Sequence, residues 1–403
     1  MAVTEYLKQP SFPYGVVILG NETQGLGILR SLARRGVPTV VIDQDRWGVA
    51  LASKYCRKFF HSPPYREYHA FVEFLIETGK KHGLENWTLF PTDDEQVRAL
   101  SENKSIISCF YRNWIPDWPS IEIVYDKSKF YSFAQQLGID IPQTKVFFSW
   151  EEVAAVEISF PVIIKPAVKE VFFKTYRKKA IEVHSRKELI RQLRQITRII
   201  ELDKLLVQEI IPGPSSLQFS YAAFFKNGVP EIDLTARRTR QHPMDYGRAS
   251  TFVEVVDFPQ LRDISVKLLG ALNYYGVCEV EFKKDHRTDK LKLLEINARF
   301  WGWHTLTEST GINWPFNLFC DIYELDYSRY HASAVIKKKQ WLKMTTDLPI
   351  ALHECVKNRL SVLKLIGQYL SFSTIHVTFN WKDPLPFIIE WLLIPYLWIK
   401  RGY

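Results

Sequence analysis

The chain has 403 residues, 46% of them apolar and 14% aromatic, which excludes a disordered chain and provides material for two or three domains. Its formal charge of +9 is unevenly placed, with ten Lys/Arg against four Asp/Glu over residues 331–403; such a basic tail suits acidic substrates, anionic lipid, nucleic acid or simply a solvated surface. The five scattered cysteines show no CxxC spacing and argue against a zinc site or disulfide frame, no signal-peptide core opens the chain, and no apolar run reaches the ~18–20 residues of a membrane span, so a cytosolic protein is expected.

In chain order, GVVILG (15–20) reads as a buried strand, followed by NETQGLG, an amphipathic helix and a second strand, VPTVVID (37–43), a β-α-β unit. Gly20, Gly25 and Gly27 do not fit GxGxxG, so a tight turn and close helix packing explain them better than a dinucleotide. A helix over YHAFVEFLIETGKKHG, the strand WTLFP (87–91) and a helix over TDDEQVRALSEN complete a doubly wound domain of about 120 residues. Pro116 and Pro119 then interrupt the pattern, placing a domain boundary near residues 115–126.

Beyond it, DKSKFYSFAQQLGIDIP (126–142) predicts a helix capped by Asp126 and ending at Gly138. Lys127 and Lys129 lie in its first turn, against the helix dipole, a placement that a bound anion would reward. FPVIIKPAVKE (160–170) is a buried strand with Lys165 at its end, and burying a lysine without an anion is costly. EVFFKTYRKKAIEV (170–183) alternates basic and aromatic residues, as a hairpin or flap over phosphates. A helix over 186–201 leads to LLVQEIIPGPSS (205–216), a strand ending at Gln208-Glu209 with an extended linker able to present backbone groups to an adenine edge.

Residues 277–303, VCEVEFKKDHRTDKLKLLEINARFWGW, predict a β-hairpin turning at 285–290. Strict alternation puts Leu291, Leu293, Glu295 and Asn297 on one face, with Glu281 roughly opposite Glu295 and Arg299 just beyond. Two carboxylates, an amide oxygen and a nearby cation suit Mg²⁺ carrying a polyphosphate, although an ordinary charged strand pair would read the same way. Further on, Asn317–Leu325 and a stretch around HECVKNRLSVLKLIGQYL read as helices. WKDPLPFIIEWLLIPYLWIKRGY at the end is apolar, aromatic and too short to span a bilayer. It would dock on the protein's own core, with a membrane interface as the alternative.

In this order the motifs DKSKF (126–130), VIIKP (162–166), VQEIIPG (207–213), VEF (280–282) and EINARFWG (295–302) resemble the ATP-grasp superfamily from about Asp126 to Trp303. Within it the chain is most similar to carboxylate–amine ligases of the D-aspartate ligase type, whose basic segment TARRTRQHPMDYG (235–247) resembles. The resemblance implies a mixed α/β and α+β architecture: an N-terminal doubly wound domain (1–125), a two-lobed ATP-grasp domain (126–330) hinged near 208–214, and a mostly helical C-terminal extension (331–403). It implies that Lys127 and Lys165 hold ATP phosphates and that Gln208, Glu209 and Ile211 line the adenine, the last two chiefly through backbone atoms. Glu281, Glu295 and Asn297 would bind two Mg²⁺ ions, or Mn²⁺ in their place. Arg299 would neutralise the transferred phosphoryl group, and Arg237 or Arg240 would hold a substrate carboxylate or phosphate. Two features depart from the family pattern: residues 167–180 lack the flap's usual glycines, leaving Lys174, Lys178 and Lys179 to compensate, and Glu279 competes with Glu281 as ligand.

The implied reaction joins a small carboxylate, amino-acid-like or peptide-like, to an amine through an acyl phosphate. Bicarbonate or ammonia as the other substrate, or a non-catalytic nucleotide-binding module at a membrane, are the rival readings. No nucleic-acid partner is expected. A homodimer and peripheral contact with the inner face of a membrane are compatible with the sequence.

Overall fold

The computed structural model describes residues 12–168, 180–242, 249–310, 312–326 and 339–401. Strands β1 (Val16–Leu19), β2 (Thr39–Asp43), β3 (Phe59–His61) and β4 (Thr88–Pro91) form a parallel sheet in the order β3-β2-β1-β4. Every side chain of β1 is fully buried, as expected for a parallel strand covered on both faces. Helices Thr23–Ala33, Tyr68–His82 and Asp94–Glu102 connect the strands; the last is held at its start by a capping box between Asp93 and Gln96. The boundary expected near 115–126 is not open chain. It is a helix, Trp118–Tyr125, whose Pro119 lies in the first turn, where its missing N–H has no intrahelical partner to lose.

Asp126 then caps the helix Lys127–Gln136 by accepting from the N–H groups of Ser128 and Lys129, and Gly138 follows with φ +68°. A second four-stranded sheet, β5-β8-β6-β7, is built from β5 (Thr144–Val146), β6 (Val162–Pro166), β7 (Ile181–Val183) and β8 (Leu205–Glu209). This lobe has a small core of its own, in which Phe147, Val162, Ile164 and Val207 pack on Leu189 and Leu193 of the helix Arg186–Ile196. The flap residues 169–179, with Lys174, Lys178 and Lys179, lie outside the described residues, as does 243–248 of the basic segment.

The third sheet has seven strands in the order β13-β12-β9-β10-β11-β14-β15. They are β9 (Gln218–Lys226), β10 (Val229–His242), β11 (Ala249–Val256), β12 (Gly276–Asp285), β13 (Lys290–Asn297), β14 (Gln340–Leu342) and β15 (Thr374–His376). Its core is continuous with that of the N-terminal sheet, the Phe90 and Phe300 rings meeting at 5.2 Å across the junction. A cleft opens between this large double core and the small lobe.

The C-terminal region extends this sheet rather than standing apart: β14 pairs antiparallel with β11, and β15 parallel with β14. Three helical expectations shift. The helix expected at Asn317–Leu325 runs over Trp314–Ile322, because Asn313 caps it and Pro315 starts it. The stretch around residues 353–370 is two helices, Met344–Val356 and Val362–Leu370, broken where Asn358 takes φ +56°. The terminal segment is likewise two helices, Leu385–Leu392 and Ile394–Arg401, with Pro395 in the first turn of the second. It returns to the N-terminal sheet, where Asp383 takes the Arg30 guanidinium at 2.8 Å and the Tyr396 hydroxyl donates to Asp45 at 2.8 Å. Among the described residues no helix is long and apolar enough to cross a membrane.

Candidate functional site

Strands β12 and β13 pair with Glu281 directly opposite Glu295 and Glu279 opposite Asn297. The register shifts by one between Glu281 and Phe282, leaving Leu294 as an extra residue on β13. That bulge overturns the strict alternation expected from sequence. Leu291 and Leu293 pair with Lys284 and Phe282 and enter the core, while Glu295 and Asn297 belong to the opposite face.

The acidic face is densely bonded. Asn297 donates its side-chain N–H to Glu279 at 3.1 Å and to Glu281 at 2.9 Å. Glu279, 3% exposed, also accepts from the Ser220 hydroxyl and the Trp303 indole. Burial, and then the neighbouring charge of Glu281, push the Glu279 carboxyl up to about 7. Arg238 answers this charge: its guanidinium lies 2.9 Å from Glu281 and 4.0 Å from Glu279, itself only 8% exposed. Lys127 meets Glu295 at 3.4 Å. Among the described residues, no three or more His, Cys, Asp or Glu side chains gather as a metal-holding group. The facing carboxylates of Glu281 and Glu295 are hard oxygen donors of the kind Mg²⁺ takes, but in this structure Asn297 turns its N–H to Glu279 and Glu281 and its oxygen to Arg299, and cationic side chains stand against the carboxylates.

A cleft of about 580 Å³ opens over this face. Lys127, Lys165, Gln208, Glu209 and Ile211 line it together with Arg240, Glu281 and Glu295, so eight residues singled out from sequence converge there. Lys165 reaches across the small lobe to the Gln208 amide oxygen at 2.8 Å and the Tyr131 hydroxyl at 3.0 Å, and lies 4.9 Å from the Tyr131 ring centre. Gln208 is fixed in turn by donating to Thr144 at 2.7 Å. Burial would raise the Glu209 carboxyl, but Lys292, the Gln143 N–H and Arg287 outweigh it and hold the carboxyl low.

The arginines divide differently from expectation. Arg237 is 42% exposed on its side chain, pairs with Glu254 at 3.3 Å and does not line the cleft. Arg240 does line it, but its fork is held by Asp347 at 2.9 and 2.8 Å, with Gln368 on its third nitrogen. Arg299 stands at the junction with the N-terminal sheet, donating to Asp94 at 2.7 Å and to the Asn297 amide oxygen at 3.2 Å. Arg238, which the sequence reading passed over, is the arginine on the acidic face. Its signal was present in TARRTR, but β10 carries a bulge at Thr239 that breaks the spacing between Arg238 and Arg240. The cleft wall supplied by the C-terminal region, including Glu354, Arg359, Lys364 and Gln368, was also missed.

Residues 232–316, from within β10 past the β12–β13 hairpin to the first turn of the helix Trp314–Ile322, match the family described as carbamoyl-phosphate synthase L chain, ATP binding domain. A carbamoyl phosphate synthase large chain from Methanothermobacter thermautotrophicus is 26% identical over 189 residues, 45% of this chain and 17% of that protein. D-aspartate ligase from Enterococcus faecium is 25% identical over 248 residues, 57% of this chain and 58% of that one. The chain thus spans about a sixth of the first relative and less than two thirds of the second. Among solved structures, L-amino acid ligase from Bacillus licheniformis superposes with a TM-score of 0.61 at 15% identity, over 81% of this chain and 78% of the other. The biotin carboxylase domain dimer of 2-oxoglutarate carboxylase from Hydrogenobacter thermophilus, solved with MgADP and bicarbonate, gives 0.60 at 16% identity, over 78% and 71%. At such identities these two structures establish a shared fold.

Proposed function

Because this chain belongs to the ATP-grasp superfamily, we propose that it is an ATP- and Mg²⁺-dependent ligase that joins a carboxylate to an amine. The observation that carries the reading is the pairing of Glu281 with Glu295 beneath a cleft that also holds Lys127 and Lys165. The named activities of D-aspartate ligase and L-amino acid ligase support amino-acid-like substrates.

In this reading a carboxylate oxygen of the first substrate attacks the γ-phosphorus of ATP, the bond to the β-phosphate oxygen breaks, and ADP leaves. The amine then adds to the acyl phosphate and loses a proton as phosphate departs, which forms the amide. No protein nucleophile is needed, so the protein's part is to position the reactants and to offset negative charge. Lys127 and Lys165 would take phosphate oxygens. The backbone from Glu209 to Ile211 would read the adenine edge, while Gln208 holds Lys165 in place. Glu281, Glu295 and Asn297 would hold Mg²⁺, which supplies charge neutralisation on the phosphates when bound. Arg299 would steady the transferred phosphoryl group from the domain junction. Of the basic strand, Arg238 is better placed than Arg237 to meet an anionic substrate group, since it already lies against Glu281. Arg240 would act through the wall it builds with Asp347.

A second reading rests on the carbamoyl-phosphate synthase family match and the bicarbonate-bound biotin carboxylase neighbour. There, bicarbonate would be the activated acid or ammonia the nucleophile. Coupled ADP-release assays separate the two. A requirement for an organic carboxylate and an amine together supports the ligase, whereas turnover with bicarbonate in place of the organic acid, or with ammonia in place of the amine, supports the second reading. Glu295→Gln is expected to lower ADP release at least a hundredfold with unchanged circular dichroism. Near-parental turnover would show that Glu295 holds no essential ion.

A further inference from the structure

A second cavity, of about 1190 Å³, opens at the amino ends of the strands of the N-terminal sheet. Its walls are the segments leading into β2, β3 and β4, together with residues 380–382 of the returning C-terminal segment. It shares no lining residue with the cleft over Glu281 and Glu295.

Arg34, Arg57, Lys58 and Lys382 all line this cavity, and no Asp or Glu does. Arg34 meets Glu308, which is not part of the lining, at 3.4 Å. Among the described residues no carboxylate pairs with Arg57, Lys58 or Lys382. Like charges gathered around one hollow repel each other, and an anion placed among them turns that repulsion into attraction.

The lining also carries three large rings, Tyr55, Trp87 and Trp381. Trp381 is 86% exposed, yet it is not loosely placed. The Phe379 ring packs on it at 4.8 Å, and the turn that carries it is clamped two residues on, where Asp383 accepts from Arg30, the Ser53 hydroxyl and the Lys54 N–H. An uncovered indole fixed beside cations offers its face to a flat ring. Cations without acids select an anion, the rings select a planar group, and one small molecule can carry both.

We propose that this cavity binds a small planar ring bearing a phosphate, of the nucleoside monophosphate class, with the phosphate among Arg57, Lys58 and Lys382 and the ring on Trp381. Such a ligand would touch both the first sheet and the returning segment, and so would reinforce the Arg30–Asp383 bond that joins them. The proposal does not depend on the ligase reading, since none of these side chains lines the cleft.

The test is calorimetric titration of the full chain with uridine 5′-monophosphate, uridine and inorganic phosphate. The monophosphate should bind once per chain outside the cleft, at least tenfold tighter than either fragment, and more weakly at high salt. The double variant Arg57→Glu/Lys58→Glu should lose that binding at least tenfold without a lower melting temperature, while Lys165→Met, in the cleft, retains it. Trp381→Ala should weaken the monophosphate and leave inorganic phosphate unchanged. Absence of binding, an affinity no better than that of inorganic phosphate, or an affinity unchanged in the double variant overturns the proposal. So does a single-stranded oligonucleotide that binds at least a hundredfold tighter than the monophosphate, since that would make the surface a nucleic-acid track.

Discussion

Arg238 shows how much one buried side chain can settle. It shares a desolvated pocket with Glu279 and Glu281, and although burial alone would lower its pKa, those carboxylates keep it raised. Arg238→Met should cost about 3–5 kcal/mol of stability, because it leaves two buried carboxylates with less compensating charge; urea denaturation would measure it. A loss under 1 kcal/mol would mean that Glu279 simply takes up a proton, for which its raised pKa prepares it. At this scale the sequence was informative where geometry is local. Glu281 could be matched to Glu295 because a short turn joins their strands. Arg238 could not be preferred to Arg237 or Arg240, because a one-residue bulge decides which side chain meets the acids, and TARRTR contains nothing that marks Thr239 as the extra residue.

Among elements, the junction of β10 with the helix Met344–Val356 makes the cleft wall. Asp347 accepts both prongs of Arg240, the Thr251 hydroxyl and the Tyr369 hydroxyl, so one carboxylate ties together two strands and two helices. Asp347→Ala is expected to destabilise the protein by about 3–5 kcal/mol and, by freeing Arg240 in the cleft, to raise KM for ATP more than it lowers kcat. Unchanged kinetics in folded protein would show that the wall is scaffolding alone. The helix Lys127–Gln136 was legible because its cap, Asp126, is a local signal. The break at residues 357–361 was not, since a single asparagine in a left-handed conformation ends one helix and nothing in KNRL requires it. Nor could β14 and β15 be foreseen as strands of the central sheet: three-residue strands carry almost no periodicity, and their partner β11 lies more than eighty residues upstream of β14.

For the molecule as a whole, His304 sits where the N-terminal and central parts meet. A β-carbon added at Gly27 of the first helix would come within 2.7 Å of its Nε2. Burial lowers its pKa to about 4 from 6.5, and its Nδ1 lies 2.9 Å from the Trp301 carbonyl oxygen. A base with a depressed folded-state pKa leaves the unfolded chain holding more protons between these values. Stability is therefore fully present above about pH 6.5 and is lost as pH falls toward 4. Asp43, raised to about 6 by burial, works in the opposite sense. The test is thus a comparison: His304→Gln should flatten the acid limb of the parent's melting-temperature profile by an amount corresponding to roughly 3 kcal/mol. Parallel profiles would place His304's titration elsewhere.

The Arg30–Asp383 bond spans 353 positions of sequence, and it orders events in time as well as in space. During synthesis the first sheet leaves the ribosome long before the segment that neutralises its interior guanidinium exists. Until residue 383 arrives, Arg30 must stay wet or unpaired, and Asp45 must wait for Tyr396. The opening third of this polypeptide is thereby kept from its final packing until residue 383 has been made, and a ribosome that stops short of it leaves a nascent chain with an unlatched first domain.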